Sequence, residues 1–249
     1  MFYETQKGKI YYEKVGTGPG VLILHGLGGS YDSMENISRI LDGFTRILAD
    51  IPCHGLSDNM EVSLDEISEM FVNLMSSEGL EKFNLIGISL GSLISQKIAL
   101  NFPNNILKIS LLSPAPFIDE EAVNIVSQWI TTEDGGASTL FSKKFYEENK
   151  DKIMEYEKTH PLQPERLYNL IPWIINFDVR GKAVDKKCLI IYGKEDKLFG
   201  ERMVPELRKL FPKSKVVALN SGHAIHRESP EEAALIIKSF MERDDGTLK

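Results

Sequence analysis

The sequence predicts an α/β protein in which a mostly parallel sheet of eight strands is covered by helices on both faces. Short apolar runs of strand length alternate along the chain with stretches of helical spacing, which is the pattern of a parallel sheet. Val21-Leu22-Ile23-Leu24 is apolar at every position, as is typical of a strand buried on both faces. The alternation stops once, between residues 117 and 186, where helical segments follow one another without a convincing strand.

The predicted strands before this interruption are short, apolar and bounded by turn residues. They comprise two strands within residues 2–15 and one each at 21–24, 45–49, 83–88 and 106–113. Helices are predicted at about 33–41, from 64 onward and at 90–100. Ser63 is the predicted cap of the second helix, and Glu66, three residues later, completes the spacing of an N-terminal capping box. Its apolar residues have the one-sided spacing of an amphipathic helix: Leu64, Ile67, Phe71 and Leu74.

The interruption predicts a helical insert at residues 117–186, which divides a core made of residues 1–116 and 187–249. The insert holds both tryptophans of the chain and seven other aromatic residues. It has 13 acidic and nine basic residues, and therefore no net positive charge to attract a carboxylate. After it, we predict a strand at 187–192, a helix at about 202–210, a strand at 215–219 and a last helix at about 230–243.

The composition of the chain argues against several classes of function. The formal net charge is −7 with no cluster of Lys and Arg, which argues against nucleic acid as a partner. No apolar run approaches the roughly 18 residues of a membrane span, and the first residues lack the order of a signal peptide. Cys53 and Cys188 lie far apart, so we expect free thiols and a cytoplasmic protein. The five histidines form no metal-spaced cluster, and we expect no metal or cofactor.

The pentapeptide Gly87-Ile88-Ser89-Leu90-Gly91 lies between an apolar strand and a helix. A sharp turn from strand to helix strains the backbone of its pivot residue and exposes the side chain. The glycines on either side let neighbouring backbone pass without a Cβ clash. Ser89 is therefore predicted to be a nucleophile at the positive end of a helix, although a glycine-rich turn without chemistry fits the same letters.

A serine nucleophile needs a base to take its proton and a carboxylate to orient that base. His223 follows the last predicted strand and is our candidate base, with His226 as the competitor. Asp196 follows the preceding strand and is the candidate acid, although Glu195 could hold that role. Because ligands bind at the carboxyl ends of parallel strands, we expect these side chains to converge on Ser89.

The oxyanion of an acyl-transfer reaction needs two backbone N–H donors that are in place beforehand. We expect one from Leu90, directly after the nucleophile. The other is expected from Leu27, in a loop where Gly26, Gly28 and Gly29 permit unusual backbone angles.

These motifs together resemble the α/β-hydrolase fold family over nearly the whole chain. His25-Gly26-Leu27 is similar to the oxyanion loop of that family, and residues 50–58 are similar to its Asp-x-Pro-Gly-His-Gly-x-Ser segment, with Cys53 in place of the usual Gly. Ser92 replaces a common second glycine after the nucleophile. The acid and histidine loops also match, the latter followed by Glu228 and Pro230. The resemblance implies that the insert is a helical cap after the sixth strand.

Within that family, the chain looks most like short-cap carboxylesterases, including esterases that demethylate pimeloyl esters. Enol-lactonases, carbon–carbon bond hydrolases and menaquinone-pathway lyases share the same framework. We therefore expect a serine hydrolase that acts on a small-molecule ester of short to medium acyl length, as a monomer or homodimer. The residues expected to contact substrate are His25, Gly26, Trp129 and Trp173. A ligand-sensing protein of the same fold is the alternative from another class.

Overall fold

The strands lie side by side in a single sheet of the computed structural model, which describes residues 1–129, 132, 134–159 and 164–243. They are β1 (Phe2–Glu4), β2 (Lys9–Val15), β3 (Gly20–Leu24), β4 (Thr45–Ala49), β5 (Phe83–Ile88), β6 (Ile106–Leu112), β7 (Cys188–Gly193) and β8 (Ser214–Leu219). Their order across the sheet is β1-β2-β4-β3-β5-β6-β7-β8. Pairing is antiparallel for β1 with β2 and for β2 with β4, and parallel from β4 to β8. The predicted mostly parallel, eight-stranded sheet is confirmed.

Helices occupy the connections between the strands. Those of the core are α1 (Glu35–Ser38), α2 (Leu64–Ser77), α3 (Leu90–Asn101), α9 (Val204–Leu210), α10 (Ile225–Glu228) and α11 (Pro230–Glu242). Those between β6 and β7 are α4 (Glu120–Gln128), α5 (Ala137–Leu140), α6 (Lys143–Thr159), α7 (Pro164–Leu167) and α8 (Ile171–Ile175). The predicted capping box of α2 is present, since the Ser63 hydroxyl accepts from the amide of Glu66 and the Glu66 carboxylate accepts from that of Ser63.

The predicted helix at 33–41 is wrong in extent. The segment forms a 3₁₀ turn at Tyr31–Met34 and then only the short helix α1. Neither piece has a side-chain cap, and Gly43 turns the chain away at φ 83° before β4. The helix predicted at 202–210 likewise begins as a 3₁₀ turn, Gly200–Met203, and becomes α-helical at Val204.

Two apolar clusters cover the two faces of the sheet. Leu22 and Leu24 of β3 belong to the cluster that contains the buried residues of α2 and α3. Val21 and Ile23 point to the other face, where they join the buried residues of α1 and α11. Every residue of β3, β4 and β5 is buried, as the uninterrupted apolar run of β3 predicted. The carboxyl ends of these strands are thereby held in fixed positions.

The segment from 117 to 186 is helical where the structure describes it, apart from an isolated bridge between Phe117 and Asp178. Residues 130, 131, 133 and 160–163 of the predicted insert lie outside the described residues, as do residues 244–249 of the predicted core. No described helix is long and apolar enough to cross a membrane. Cys53 and Cys188 are free thiols, as the sequence predicted. Both are buried, and burial raises the pKa of both thiols.

Candidate active site

Ser89 lies at a sharp corner between β5 and α3. Its backbone has φ 50° and ψ −114°, a strained conformation for a residue with a side chain. Close backbone contacts require the glycines beside it. A Cβ on Gly87 would lie 2.3 Å from the carbonyl oxygen of Gly91, and a Cβ on Gly91 would lie 2.4 Å from that of Leu24. The expected strand–turn–helix geometry is confirmed.

Ser92, which stands where a second glycine is common, has a structural role at this corner. Its hydroxyl donates a hydrogen bond to the carbonyl oxygen of Ser89 at 2.6 Å.

Ser89, His223 and Asp196 form one hydrogen-bonded series. His223 Nε2 lies 2.8 Å from Ser89 Oγ, and His223 Nδ1 lies 2.9 Å from Asp196 Oδ2. With a proton on Nδ1 donated to the carboxylate, Nε2 is left as an acceptor for the serine hydroxyl. The geometry therefore allows the imidazole to take the proton of Ser89.

Asp196 is buried beneath the loop that follows β7. Its Oδ1 accepts hydrogen bonds from the amides of Leu198 at 2.9 Å and Phe199 at 3.0 Å. Burial by itself would raise the pKa of this carboxyl, but His223 and the two amides outweigh it, so the pKa lies below its ordinary value. Asp196 therefore stays ionised and can hold His223 in one tautomer and orientation.

Neither alternative that the sequence left open takes part in this series, although His226 lines the same cavity as Ser89. Glu195 is exposed, and its Oε2 accepts a hydrogen bond from the amide of Lys143 at 3.1 Å rather than from His223. His226 is buried, and burial, helped by the neighbouring Arg227, lowers its pKa to about 3. Its ring is therefore uncharged at neutral pH. The structure brings His223 and Asp196, rather than His226 and Glu195, to the serine.

The loop after β3 lies against Ser89. A Cβ placed on Gly26 would lie 3.5 Å from that of Ser89, and Leu27 lines the same cavity as the serine. The amide of Leu90 is at the first position of α3, where helical N–H groups have no partner within the helix. Within the described residues, no hydrogen-bond acceptor is recorded for the amides of Leu27 and Leu90. Both therefore remain available to an oxyanion.

His25, which was expected to contact substrate, does not line the cavity. It is fully buried, with Nδ1 2.7 Å from the carbonyl oxygen of Gly26 and Nε2 accepting from the amide of Ile51 at 3.0 Å. Burial, together with the adjacent His54, holds its pKa well below the ordinary value. His25 thus links its own loop to the loop that contains Ile51. The pattern His-Gly does not reveal which way the imidazole points, so the sequence could not exclude His25 from the residues that contact substrate.

A cavity of about 120 Å³ opens beside Ser89 and His223. Gly26 and Trp129, two of the residues predicted to contact substrate, line it. Trp129 is held by a hydrogen bond from Nε1 to Thr139 Oγ1 at 2.9 Å, and by its ring lying on Gly136, where a Cβ would be 2.1 Å away. Trp173 was also expected here but lines a separate surface depression beside Asn59. Aromatic content alone does not tell which side of a helical segment faces the serine.

The cavity is also lined by Tyr156, Glu157 and Arg227, which the sequence did not mark as site residues. Glu157 and Arg227 form an ion pair with Nη1 2.8 Å from Oε1. The two belong to separate parts of the chain, α6 and α10, so no local pattern signals their meeting.

Polar contacts attach the helical segment to the loops that carry Asp196 and His223. Glu228 Oε2 accepts from the amides of Ser142 at 3.0 Å and Gly222 at 2.9 Å. The amide of Ala224 donates to the carbonyl oxygen of Leu140 at 2.8 Å. On the other side, Arg202 pairs with Asp119 and donates to the carbonyl oxygens of Leu198 and Phe199, so it braces the turn whose amides hold Asp196.

Known proteins share the fold of this chain. A profile of the alpha/beta hydrolase fold matches residues 19–181. The chain is similar to a pyrrolizixenacetamide deacetylase of Xenorhabdus hominickii, with 23% identity over 92% of this chain and 93% of the relative. It is similar to Lipase 3 of Moraxella sp. (strain TA144), with 23% identity over 90% of this chain and 78% of the relative. The crystal structure of MGS-M2, an alpha/beta hydrolase enzyme from a Medee basin deep-sea metagenome library, has the same fold, with a TM-score of 0.89 at 21% identity over 100% of both chains.

Proposed function

This chain belongs to the α/β hydrolase fold family, and from that membership we propose that it is a serine hydrolase that cleaves carboxylic esters of small to medium acyl groups. The observation that carries the proposal is the continuous series of hydrogen bonds from Asp196 through His223 to Ser89. Relatives that are named as a lipase and a deacetylase support a hydrolytic reaction at an acyl carbon.

In the proposed reaction, Ser89 Oγ attacks the ester carbonyl while His223 Nε2 takes its proton. The negative charge that develops on the carbonyl oxygen is held by the amides of Leu27 and Leu90. His223 then gives the proton to the departing alcohol, and Asp196 stabilises the imidazolium between these steps. Water, activated by the same histidine, attacks the acyl-enzyme and releases the acid.

We assign residues 117–186 to a cap that sets the acyl length. Trp129, Leu140 and Tyr156 from this segment line the cavity beside Ser89, and a space of about 120 Å³ admits only a short chain. Each methylene that becomes buried stabilises the complex by about 0.8 kcal/mol, which corresponds to roughly fourfold in kcat/KM. The value should rise with chain length until the cavity is full and then drop.

The decisive experiment measures p-nitrophenyl acetate, butyrate, hexanoate, octanoate and palmitate with the wild type beside Ser89→Ala. We expect kcat/KM to reach its maximum at or below hexanoate. Ser89→Ala should lose on the order of 10⁴-fold or more in kcat, because the members of a triad act as a unit, and it should keep the wild-type melting temperature. A folded Ser89→Ala protein with a tenth of the activity would refute the nucleophile. Repeated turnover separates an enzyme from a ligand sensor, which would release one equivalent of p-nitrophenol and stop.

A further inference from the structure

The rim of the cavity beside Ser89 carries one ion pair whose two members come from different parts of the fold. Arg227 lies on α10, four residues after His223, and Glu157 lies on α6. Within the part of the cavity lining that the structure describes, Arg227 is the one Lys or Arg side chain and Glu157 the one carboxylate. Any charged group on a substrate would therefore meet this pair.

The guanidinium of Arg227 contacts two aromatic rings and one carboxylate. Its Cζ lies 4.1 Å from the ring centroid of Tyr156 and 4.9 Å from that of Phe141. Cation–π contacts of this kind fix the plane of the guanidinium and restrict its rotation. One edge then donates to Glu157 Oε1 from Nη1 at 2.8 Å. Arg227 is thus a preorganised donor of hydrogen bonds whose charge is already neutralised.

A planar guanidinium in a restrained position is the group that proteins use for recognition of carboxylates. In this site, however, a carboxylate on the substrate would have to displace Glu157 or lie beside it. A second acidic side chain, Asp32, is close enough to act on the Tyr156 hydroxyl and raise its pKa, although burial is the larger cause. An anionic acyl group would therefore approach Arg227 against the repulsion of nearby carboxylates.

We propose that the Arg227–Glu157 pair is the charge selector of the site, and that Glu157 makes the cavity prefer uncharged acyl groups by keeping Arg227 occupied. This inference rests on the proposed ester hydrolysis and names the class of substrate that it accepts. Removing the carboxylate at position 157 leaves the stacked guanidinium free, which converts the rim into a site for an acyl group with a terminal carboxylate.

The test compares two p-nitrophenyl esters of matched shape. The acyl chain of the 4-oxopentanoate ends in an uncharged methyl ketone, and that of the hemisuccinate ends in a carboxylate. We expect Glu157→Gln to raise the ratio of kcat/KM for hemisuccinate over 4-oxopentanoate by roughly 10- to 100-fold, the range for hydrogen bonds to a charged group. Glu157→Gln with Arg227→Gln should return the ratio to the wild-type value or below. Ser89→Ala protein serves as the blank for spontaneous hydrolysis.

The matched control is Glu155→Gln, which removes the same charge from the same helix at an exposed position away from the cavity. It should leave the ratio unchanged. If Glu157→Gln shifts the ratio no more than Glu155→Gln does, or if the double variant keeps the whole gain, the proposed selector is wrong.

A binding measurement separates failure of the selector from failure of the hydrolase. Both esters are titrated calorimetrically into Ser89→Ala protein with and without Glu157→Gln. Tighter binding of hemisuccinate only in the Glu157→Gln protein supports the selector even where the wild type turns over neither ester. Equal affinities in the two proteins overturn it, whatever the activity of the wild type.

Discussion

In β3, β4 and β5 every residue is buried, whereas α4, α5 and α6 each bury a single one: Ala122, Ala137 and Ile153. Helices with so little buried surface cannot obtain their stability from packing alone. The polar contacts of Glu228, Arg202 and Ala224 hold this segment to the loops of the sheet. The sheet therefore fixes the reacting groups, and we expect the helical segment to have the lower local stability of the two regions.

The largest expected effect is a difference in kcat between variants of two neighbouring carboxylates. One of them contacts the proposed catalytic histidine, and the other contacts the helical segment. Asp196 contacts His223, whereas Glu195 contacts the amide of Lys143 at the start of α6. Asp196→Asn should reduce kcat by about 10⁴-fold, because an amide favours the wrong histidine tautomer. Glu195→Gln should keep kcat within about threefold, since it changes one exposed contact. Equal losses in ester hydrolysis would erase the distinction between the two carboxylates.

A matched pair of isoleucines compares the stability of the two regions. Ile67 of α2 and Ile153 of α6 are both buried in helices. Ile67→Ala should lower the free energy of global unfolding by about 2–5 kcal/mol through the cavity that it leaves. Ile153→Ala should change global unfolding by less than half as much and should speed hydrogen exchange mainly in α5 and α6. Urea titrations with mass-resolved exchange measure both, and equal global losses would mean that the segment unfolds together with the sheet.

Acid should weaken the core, and not the helical segment, through two histidines that are buried uncharged. Burial lowers the pKa of His54 to about 4 and that of His226 to about 3. The unfolded chain takes up these protons below the ordinary histidine value of about 6.5, so stability is full above that pH and falls as the pH decreases towards the folded pKa. Each histidine should cost about 2 kcal/mol at pH 5 relative to pH 8. Urea midpoints at the two pH values, with His226→Phe as the variant that flattens the slope, check the expectation.

The smallest expected effect is a loss of kcat when the polar contacts between the helical segment and the His223 loop are weakened. Glu228→Gln weakens the acceptor shared by the amides of Ser142 and Gly222, next to His223. We expect kcat to fall by roughly tenfold with little change in KM, because the loss is in alignment of the base. Glu231→Gln, an exposed change in the first turn of α11, is the control. A change confined to KM would place Glu228 in substrate binding instead.

The sequence predicted the sheet well because its signals are local. An apolar run such as Val21 to Leu24 can only be buried, and the glycines around Ser89 mark a turn that no other residue fits. The positions of His223 and Asp196 followed from the rule that parallel strands end at one edge. Side-chain direction did not follow, and His25 and Trp173 were accordingly assigned to substrate contacts away from the cavity. The pair of Glu157 and Arg227, 70 residues apart in sequence, depends on how α6 packs against α10, which has no local signature.

The two buried thiols offer a practical consequence. Because burial keeps the thiols of Cys53 and Cys188 protonated and out of reach, alkylating dyes should leave the folded protein unlabelled. A thiol introduced by Glu155→Cys, on the exposed side of α6, would then be labelled selectively without removing a native cysteine. A fluorophore attached there could report, one molecule at a time, how often the helical segment lifts from the loops that carry Asp196 and His223.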